Sequence, residues 1–232
     1  MILSIVIPTY KECENLKGLI PEITSILDQN KIPYNISIVD DNSQDGTEEL
    51  IEGFDLDQVK LIVRRNKKGL SSAVYDGIVQ ADGDVICFMD ADFSHPPKAL
   101  VGMYKIIKNN EAQLVVGSRL VKGGGIDNWP WNRVFTSFVA RMMARPLTSI
   151  KDITSGFFMF KKDVFPKNNL NLEGFKIGLE VAVKGKYTTA KEYPIIFGDR
   201  KYGESKLSGK VMVEYIKQLG QLYTYKFLKK QK

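Results

Sequence analysis

The chain has 232 residues, of which 44% are hydrophobic and 26% are charged, and its formal net charge at pH 7 is +6. This length suits one large α/β domain with its own core, and the ordinary balance of apolar and charged residues excludes a disordered chain. Two cysteines in such a chain argue against a disulfide framework and favour a reducing compartment. Because acidic residues lie between the basic ones, the net charge alone selects no class of partner.

The first apolar run follows Met1 directly, without the basic segment or the cleavage site of a signal peptide. It therefore predicts a first strand. No apolar stretch of the sequence is long enough to span a bilayer, so we expect a protein that lies against a membrane if it acts on lipids.

Short apolar or β-branched runs alternate with helix-like segments in the first half of the chain. This alternation predicts an α/β fold with a Rossmann-like, mostly parallel sheet flanked by helices. Ser94 precedes two prolines and is expected to cap a helix. The predicted strands are residues 2–7, 35–39, 59–63, 84–89 and 113–116.

The pattern changes after Arg119. Three consecutive glycines at 123–125 predict a loop, and residues 129–145 predict a helix that mixes basic and aromatic side chains. Further strands are predicted at 156–160 and 190–197. We predict one domain at residues 1–209 and a C-terminal amphipathic helix at residues 210–232, packed on that domain or placed at a membrane interface.

Asp90 and Asp92 follow the fourth predicted strand. Side chains two residues apart on an extended segment project to the same side, so both carboxylates can face one ligand at the strand's carboxyl end. Converging carboxylates without neighbouring His or Cys clusters favour Mg²⁺ or Mn²⁺. The alternative is that Asp92 caps the next helix. Two further loops, 8–12 and 40–43, carry polar, acidic and aromatic groups at other strand ends, which together suit a base, a ribose and a diphosphate.

These loops resemble motifs of glycosyltransferase family 2, and within it the dolichyl-phosphate mannose synthases. The resemblance covers nearly the whole chain, with six motifs in register. They are PTYKE at 8–12, VDDNSQDGT at 39–47, MDADFSHPP at 89–97, GSR at 117–119, DITSGF at 152–157 and DRKYGESKL at 199–207.

The resemblance implies a GT-A catalytic domain that transfers a sugar, mannose from GDP-mannose foremost, to dolichyl or polyprenyl phosphate with Mg²⁺ or Mn²⁺. It implies three groups of site residues. The donor would be bound by Pro8, Tyr10, Glu12, Val39, Asp41, Asp90, Ala91, Asp92, Arg200 and Lys206. The metal would be bound by Asp90, Asp92 and Ser94, with Ser94 acting directly or through water. The acceptor phosphate would be bound by Arg119, Arg133 and Ser137, and the catalytic set would be Asp92, Arg119, Arg200 and Lys206.

The acceptor phosphate is already largely anionic at neutral pH, so no general base is needed and a single displacement would invert the anomeric centre. Glu180 lies roughly where the wider family keeps a catalytic acid, and it also suits an ordinary helix. His95 is expected to support the turn that contains it. One histidine cannot build a multi-His zinc site.

The helix at 129–145 has the composition of an interfacial helix, with apolar groups for acyl chains and arginines for phosphates. A helix that packs into the core is the alternative. We expect the protein to be cytoplasmic and peripheral on the cytoplasmic face of a membrane, docked directly or held by a membrane-anchoring partner.

Other functions remain open at this point. UDP-glucose could replace GDP-mannose as donor, or a sugar hydroxyl could be the acceptor, in which case a base would be required. A dinucleotide- or NTP-binding domain is disfavoured because no Gly-x-Gly-x-x-Gly follows the first strand. The dispersed basic charge predicts no nucleic-acid partner. A noncatalytic sugar-nucleotide sensor is disfavoured by the acceptor and metal motifs.

Overall fold

Strands and helices alternate along the chain in the computed structural model, which describes residues 1–127, 129–167, 170–172, 176–198 and 209–229. The strands are β1 (Leu3–Thr9), β2 (Tyr34–Asp40), β3 (Val59–Val63), β4 (Val85–Phe88), β5 (Leu114–Ser118), β6 (Gly125–Ile126), β7 (Phe158–Lys161), β8 (Ala190–Pro194) and β9 (Ile196–Phe197). The α-helices are α1 (Cys13–Gln29), α2 (Thr47–Gly53), α3 (Leu70–Gln80), α4 (Ala99–Lys108), α5 (Trp131–Ala144), α6 (Ile177–Lys184) and α7 (Gly209–Thr224), and a π-helical turn at Tyr225–Lys229 follows α7.

The main sheet is mostly parallel, as the sequence predicts. Its strand order among the described residues is β3-β2-β1-β4-β7-β5-β8. Strand β7 runs antiparallel to both β4 and β5, whereas the other neighbouring pairs are parallel. Since β7 reverses the direction twice, β4 and β5 point the same way. The carboxyl ends of β1, β2, β4 and β5 therefore meet at one edge of the sheet, where open parallel sheets bind ligands.

Two hydrophobic clusters cover the two faces of this sheet. Alternate residues of β1 enter opposite clusters, Ile5 and Ile7 joining α1 and α4 on one face and Val6 joining α3, α6 and α7 on the other. Strands buried on both faces read as continuous apolar runs, which is why the sequence pattern located them.

Helix α7 packs into the second cluster through Tyr215, Leu219 and Leu222. The buried Gln218 on the same side donates to Glu180 of α6, with 3.1 Å between Nε2 and Oε1. The C-terminal helix is thus one of the helices that cover the sheet. Across the described ranges of the chain, no helix combines the length and the apolarity that crossing a membrane requires.

Two local predictions were wrong. Helix α4 begins at Ala99 with Lys98 before it, and Ser94 does not cap it because its hydroxyl hydrogen-bonds Asp92 instead. The single strand predicted at 190–197 is divided between two sheets, because β8 pairs with β5 whereas β9 pairs with β6.

Gly77 marks the contact between α3 and the sheet. A Cβ at this position would lie 2.4 Å from Val6 Cγ1 and 2.9 Å from Val39 Cγ2, whereas a Cβ at Gly220 in α7 would meet nothing within 4 Å. We expect Gly77→Ala to lower the free energy of unfolding in urea by about 1–3 kcal/mol through overpacking. The control Gly220→Ala should raise it by about 0.5–1 kcal/mol, because alanine favours the helix. Equal stability of the two variants would contradict this packing.

Candidate active site

Hydrogen bonds join the loops that follow β1 and β2. Thr9 Oγ1 donates to Asp40 Oδ2 at 2.9 Å, and the Ser43 backbone N–H donates to Asp40 Oδ1 at 2.7 Å. The Lys11 backbone N–H donates to Ser43 Oγ at 2.7 Å. Since Asp40 and Ser43 connect both loops, these two strand ends form one side of a shared crevice.

Several non-glycine residues adopt left-handed backbone conformations around this crevice. The φ angles are +60° at Lys11, +56° at Asn42, +53° at Gln44 and +63° at Phe93. Such conformations cost free energy and persist where surrounding contacts impose them, as they do at many functional sites. Their position after β1, β2 and β4 supports a site at this edge of the sheet.

Asp41, a predicted donor residue, also holds the neighbouring elements together. Its Oδ2 accepts the backbone N–H of Gly69 at 2.7 Å. Its Oδ1 lies 3.0 Å from Arg64 Nε in an ion pair that lacks hydrogen-bond geometry. Buried Arg64 in turn donates to Ser72 Oγ at 2.9 Å. Asp41 thereby links the end of β2 to α3, and its nucleoside contact stays a prediction.

The other predicted donor residues differ in their surroundings. Tyr10 is exposed, and Lys68 Nζ lies 5.5 Å from its ring centroid. Glu12 accepts a hydrogen bond of 2.6 Å from Asn15 Nδ2. Pro8 and Val39 have buried side chains within β1 and β2, so a donor contact from them would use their backbones.

Asp90, Ala91 and Asp92 form the turn after β4. Asp92 is buried, and its Oδ1 accepts both the backbone N–H of Ser94 at 3.1 Å and its hydroxyl at 2.5 Å. The Asp90 side chain is 38% exposed. Asp92 is thus held by the turn, whereas Asp90 is partly open to solvent.

The donor set of this turn fits a magnesium- or manganese-type ion. Within the described ranges, no group of three or more His, Cys, Asp or Glu side chains could enclose a metal. Mg²⁺ commonly takes one or two carboxylates and completes its shell with substrate phosphates and water, which two aspartates at a strand end can accommodate. Ser94 supports Asp92 in this structure, and its role as a metal ligand stays a prediction.

His95 supports the same turn, as the sequence predicts. It is fully buried, and its Nδ1 accepts the backbone N–H of Asp90 at 3.1 Å. Its ring stacks on Phe157 with 5.2 Å between the centroids. Burial lowers the pKa of His95 below its usual value although Asp90 and Asp92 oppose this shift, so we infer an uncharged, structural imidazole.

Arg119 and Asp152 form a buried ion pair beyond the end of β5. Arg119 Nε donates to Asp152 Oδ2 at 2.7 Å, and Nη2 donates to Oδ1 at 2.6 Å. Burial alone would raise the pKa of Asp152, but the hydrogen bonds and charge of Arg119 outweigh burial and hold this pKa below its usual range. In the part of the chain that the structure describes, no acceptor takes a hydrogen bond from Arg119 Nη1, which leaves that nitrogen for a ligand.

Two of the predicted acceptor residues, Arg119 and Arg133, meet beside this ion pair. The guanidinium carbons of Arg119 and Arg133 lie 5.1 Å and 3.9 Å from the ring centroid of Trp129, so one indole contacts both cations. Ser137 lies one helical turn after Arg133 on α5, and both are half-buried. The structure therefore brings Arg119 and the Arg133 face of α5 together.

The opposite face of α5 is apolar and open to solvent. Trp131 is 79% exposed, Phe135 58% and Phe138 50%. The alternative that this helix packs into the core is therefore wrong for these side chains. Two tyrosine hydroxyls of α7 hold α5 through its backbone, Tyr215 donating to Ala140 O and Tyr223 donating to Met143 O, each at 2.7 Å.

Sequence reasoning missed Lys176, which stands directly before α6. Its Nζ donates to the carbonyl oxygen of Thr154 at 2.8 Å, close to Arg119. Its only sequence signal is a lysine before an apolar helix, which is too common to indicate a site. Glu180, by contrast, pairs with Lys184 at 2.7 Å and is buried. Arg200 and Lys206 lie outside the described residues, so their roles stay predictions.

Comparison with known proteins gives concordant results. Residues 4–168 match the family described as Glycosyl transferase family 2. A dolichol-phosphate mannosyltransferase of Pyrococcus furiosus is 43% identical over 96% of this chain, which spans only 64% of that relative's length. A Saccharomyces cerevisiae protein of the same name is 39% identical over 97% of this chain and 88% of its own length.

Solved structures share the fold at low sequence identity. Mannosyl-3-phosphoglycerate synthase from Rubrobacter xylanophilus is 16% identical with a TM-score of 0.70, over 96% of this chain and 74% of its own. A mannosyltransferase from Pyrobaculum calidifontis in complex with GDP-Man and Mn²⁺ is 16% identical with a TM-score of 0.64, over 96% of this chain and 63% of its own. These likenesses confirm the predicted GT-A fold.

The Arg119–Asp152 pair predicts a specific loss of stability. We expect Asp152→Asn to lower the free energy of unfolding at pH 7 by about 3–5 kcal/mol, because Arg119 stays buried without a carboxylate. A lowered pKa contributes stability above the ordinary aspartate value of about 3.9 and loses it as pH falls through the lowered pKa. Urea unfolding from pH 7 down to about pH 3 should therefore show a shallower acid loss in the variant than in the wild type.

The matched control is Glu111→Gln, which removes one partner of the exposed Glu111–Lys191 ion pair. Exposed pairs contribute little to stability, so this variant should unfold like the wild type at pH 7. If both variants lost the same free energy, the Arg119–Asp152 pair would not have the structural role described above.

Proposed function

Since this chain belongs to glycosyl transferase family 2, we propose that it transfers mannose from GDP-mannose to a dolichyl or polyprenyl phosphate. The observation that carries the proposal is the pairing of two unlike sites at one sheet edge. Asp90 and Asp92 follow β4, and a cationic group built on Arg119 and Arg133 follows β5. The relatives of about 40% identity that bear the name dolichol-phosphate mannosyltransferase support the choice of sugar and acceptor.

The cationic group suits the acceptor. An arginine fork binds a phosphate monoester through several charge-assisted hydrogen bonds, and Arg119 Nη1, Arg133 and Ser137 are the groups that we assign to it. The buried pair with Asp152 holds the Arg119 guanidinium in one orientation. A preorganised cation loses little conformational freedom when the lipid phosphate binds.

The carboxylate turn suits the donor. Pro8, Tyr10, Glu12, Val39 and Asp41 would hold the nucleoside, and Asp90, Ala91 and Asp92 would face the diphosphate. Asp90 and Asp92 would hold Mg²⁺ or Mn²⁺, which stabilises charge on the departing diphosphate when it is bound. Ser94 keeps the Asp92 carboxylate oriented. Arg200 and Lys206 remain proposed contacts to the donor.

The proposed reaction needs no general base from the protein. The phosphate's second pKa is about 6, judged by phosphorylated side chains, so the acceptor oxygen attacks the anomeric carbon without a protein base. The protein would align that oxygen opposite the leaving diphosphate. It would also hold the two phosphorylated ligands together, although their negative charges repel each other. A single displacement converts an α-linked donor into a β-linked product.

A sugar hydroxyl would need a base to lose its proton, and the candidate bases are poorly placed for this task. His95 is buried with Nδ1 accepting from the Asp90 backbone, and Glu180 is buried in contact with Lys184 and Gln218. A phosphate acceptor therefore fits this site better than a hydroxyl.

The exposed apolar face of α5 suits the lipid chain of the acceptor. This face carries Trp131, Phe135 and Phe138 beside the arginine side of the same helix. Aromatic groups at a membrane interface with cations near the headgroups are typical of helices that lie in the plane of a membrane. We propose peripheral attachment to a cytoplasmic membrane face, directly or through a membrane-anchoring partner. Residues 1–209 would form the catalytic domain, and the helix at 210–232 would complete it or contact the same surface.

Transfer of radiolabelled mannose from GDP-mannose to dolichyl phosphate in detergent tests the proposed activity. We expect labelling that requires Mg²⁺ or Mn²⁺ and gives a β-linked product. Asp92→Asn should lower the rate about a thousandfold, because it removes several kcal/mol of stabilisation for the leaving diphosphate. Asp82→Asn, which changes an exposed aspartate away from the site, should leave the rate unchanged.

UDP-glucose is assayed in parallel. Labelling from UDP-glucose alone would support the proposed acceptor and would show that the donor is UDP-glucose instead of GDP-mannose. An α-linked product would overturn the single displacement. If neither donor labelled the lipid while the protein still bound nucleotide-sugar, the acceptor would be wrong.

The lipid face of α5 is tested separately. We expect the double variant Phe135→Ser, Phe138→Ser to bind vesicles with anionic lipid at least about tenfold more weakly, because two aromatic side chains no longer enter the acyl region. Its KM for a long-chain polyprenyl phosphate should rise, with little change for a short-chain one. Val79→Ser, at another exposed apolar position, is the control. Equal vesicle binding by the double variant and the wild type would contradict this surface assignment.

A further inference from the structure

Lys176 lies where the two sides of the site meet, although no motif singles it out. Its Nζ donates to the Thr154 carbonyl oxygen at 2.8 Å, and the hydroxyl of the same threonine accepts from Arg119 Nη2 at 3.1 Å. Thr154 therefore accepts hydrogen bonds from both the Lys176 ammonium and the Arg119 guanidinium. Lys176 therefore lies beside a residue that we assign to the acceptor phosphate, and any role inferred for it rests on the proposed function.

The main chain of Lys176 is fixed from two directions. Its carbonyl oxygen accepts the Leu179 backbone N–H at 3.0 Å within the first turn of α6 and Gln218 Nε2 of α7 at 3.2 Å. Gln218 is itself buried. A lysine anchored in this way presents its ammonium at a defined place, unlike a lysine on an open surface.

Charge around Lys176 is unbalanced. Burial lowers its pKa, the charges of Arg119 and Arg133 lower it further, and Asp90 and Asp152 oppose the shift. Arg119 and Arg133 thus add positive charge around Lys176 beside the carboxylates of Asp90 and Asp152. A phosphate monoester carries a charge of about −1.5 to −2 at neutral pH and would offset this positive charge.

Lys176 also has hydrogen-bonding capacity left. An ammonium group carries three N–H donors, and Thr154 O takes one of them. No other acceptor within the described ranges takes a hydrogen bond from this ammonium. Nε and Nη2 of Arg119 already donate hydrogen bonds to Asp152 and Thr154. A phosphate bound here would need a further donor beside Arg119 Nη1 and Arg133.

We infer that Lys176 binds the phosphate of the lipid acceptor directly, as a third cation beside Arg119 and Arg133. The assignment is to the acceptor because Lys176 shares Thr154 with Arg119, whereas the donor end of the crevice is formed by the carboxylates of Asp90 and Asp92. The ammonium would neutralise the phosphate and orient its attacking oxygen.

Binding of farnesyl phosphate, measured by calorimetry on the full chain without donor, tests this contact. Lys176→Met keeps the aliphatic stem and removes the charge. We expect it to weaken binding about ten- to a hundredfold, the effect of losing one charge-assisted hydrogen bond. Lys176→Arg should stay within about threefold of the wild type, because it retains a cation that can donate charge-assisted hydrogen bonds to the phosphate. Lys186→Gln, at an exposed lysine, should bind like the wild type and serves as the charge-matched control.

Two further measurements separate a phosphate contact from a structural role. In steady-state assays, Lys176→Met should raise the KM for the lipid phosphate while the KM for GDP-mannose stays unchanged. In the wild-type protein, farnesyl phosphate should protect the Lys176 amine from acylation by acetic anhydride, read by mass spectrometry, and should not protect Lys186. The second measurement needs no variant and therefore holds even where Lys176→Met fails to fold.

Equal farnesyl phosphate affinity in Lys176→Met, absence of protection, or a selective rise in the GDP-mannose KM would each overturn the inference. A wild-type protein that does not bind farnesyl phosphate would overturn it as well. If the wild type transferred no mannose but binding and protection behaved as expected, the proposed function would fail and the phosphate contact of Lys176 would stand.

Discussion

The buried ion pair between Arg119 and Asp152 is the interaction on which this edge of the protein depends. Each charge would be costly to bury alone, and the bidentate geometry offsets that cost for both. The pair joins the end of β5 to the segment that contains Thr154, which in turn holds Lys176. Glu192 of β8 extends the network, because its carboxylate accepts the backbone N–H of Asp152 at 2.9 Å. The hydrogen bonds thereby fix the relative positions of four segments around the Arg119 guanidinium. These segments are the end of β5, the segment with Asp152 and Thr154, the start of α6 and strand β8.

The common direction of β4 and β5 explains why carboxylates and cations face the same crevice. Strand β7 lies between them and runs antiparallel to both, so the turn at Asp90 and the turn at Arg119 emerge at one edge. Carboxylates suit a metal and a diphosphate, and cations suit a phosphate monoester. The topology thus places a carboxylate site and a cationic site side by side, as the proposed transfer requires.

Helix α7 positions both walls of the cationic region, although it contributes none of the assigned contacts. Tyr215 holds α5 through the Ala140 carbonyl, and Gln218 holds Lys176 through its carbonyl. These bonds reach backbone oxygens, so they fix where the neighbouring elements lie and leave their side chains for other partners. The C-terminal helix is therefore part of the framework of the site, which agrees with its burial against the sheet.

Much of the fold and the carboxylate turn could be predicted from the sequence, because both rest on local patterns. Buried strands are continuous apolar runs, and Asp90 and Asp92 lie two residues apart at a strand end. The role of Ser94, the division of residues 190–197 between two sheets and the exposure of α5 could not be decided in this way. Each depends on partners far away in the chain, as Lys176 does through Thr154 and Gln218. Local periodicity determined which segments form elements and which carry charge, whereas the tertiary structure alone decided which charges meet, because burial and long-range hydrogen bonds leave no periodic signal in the sequence.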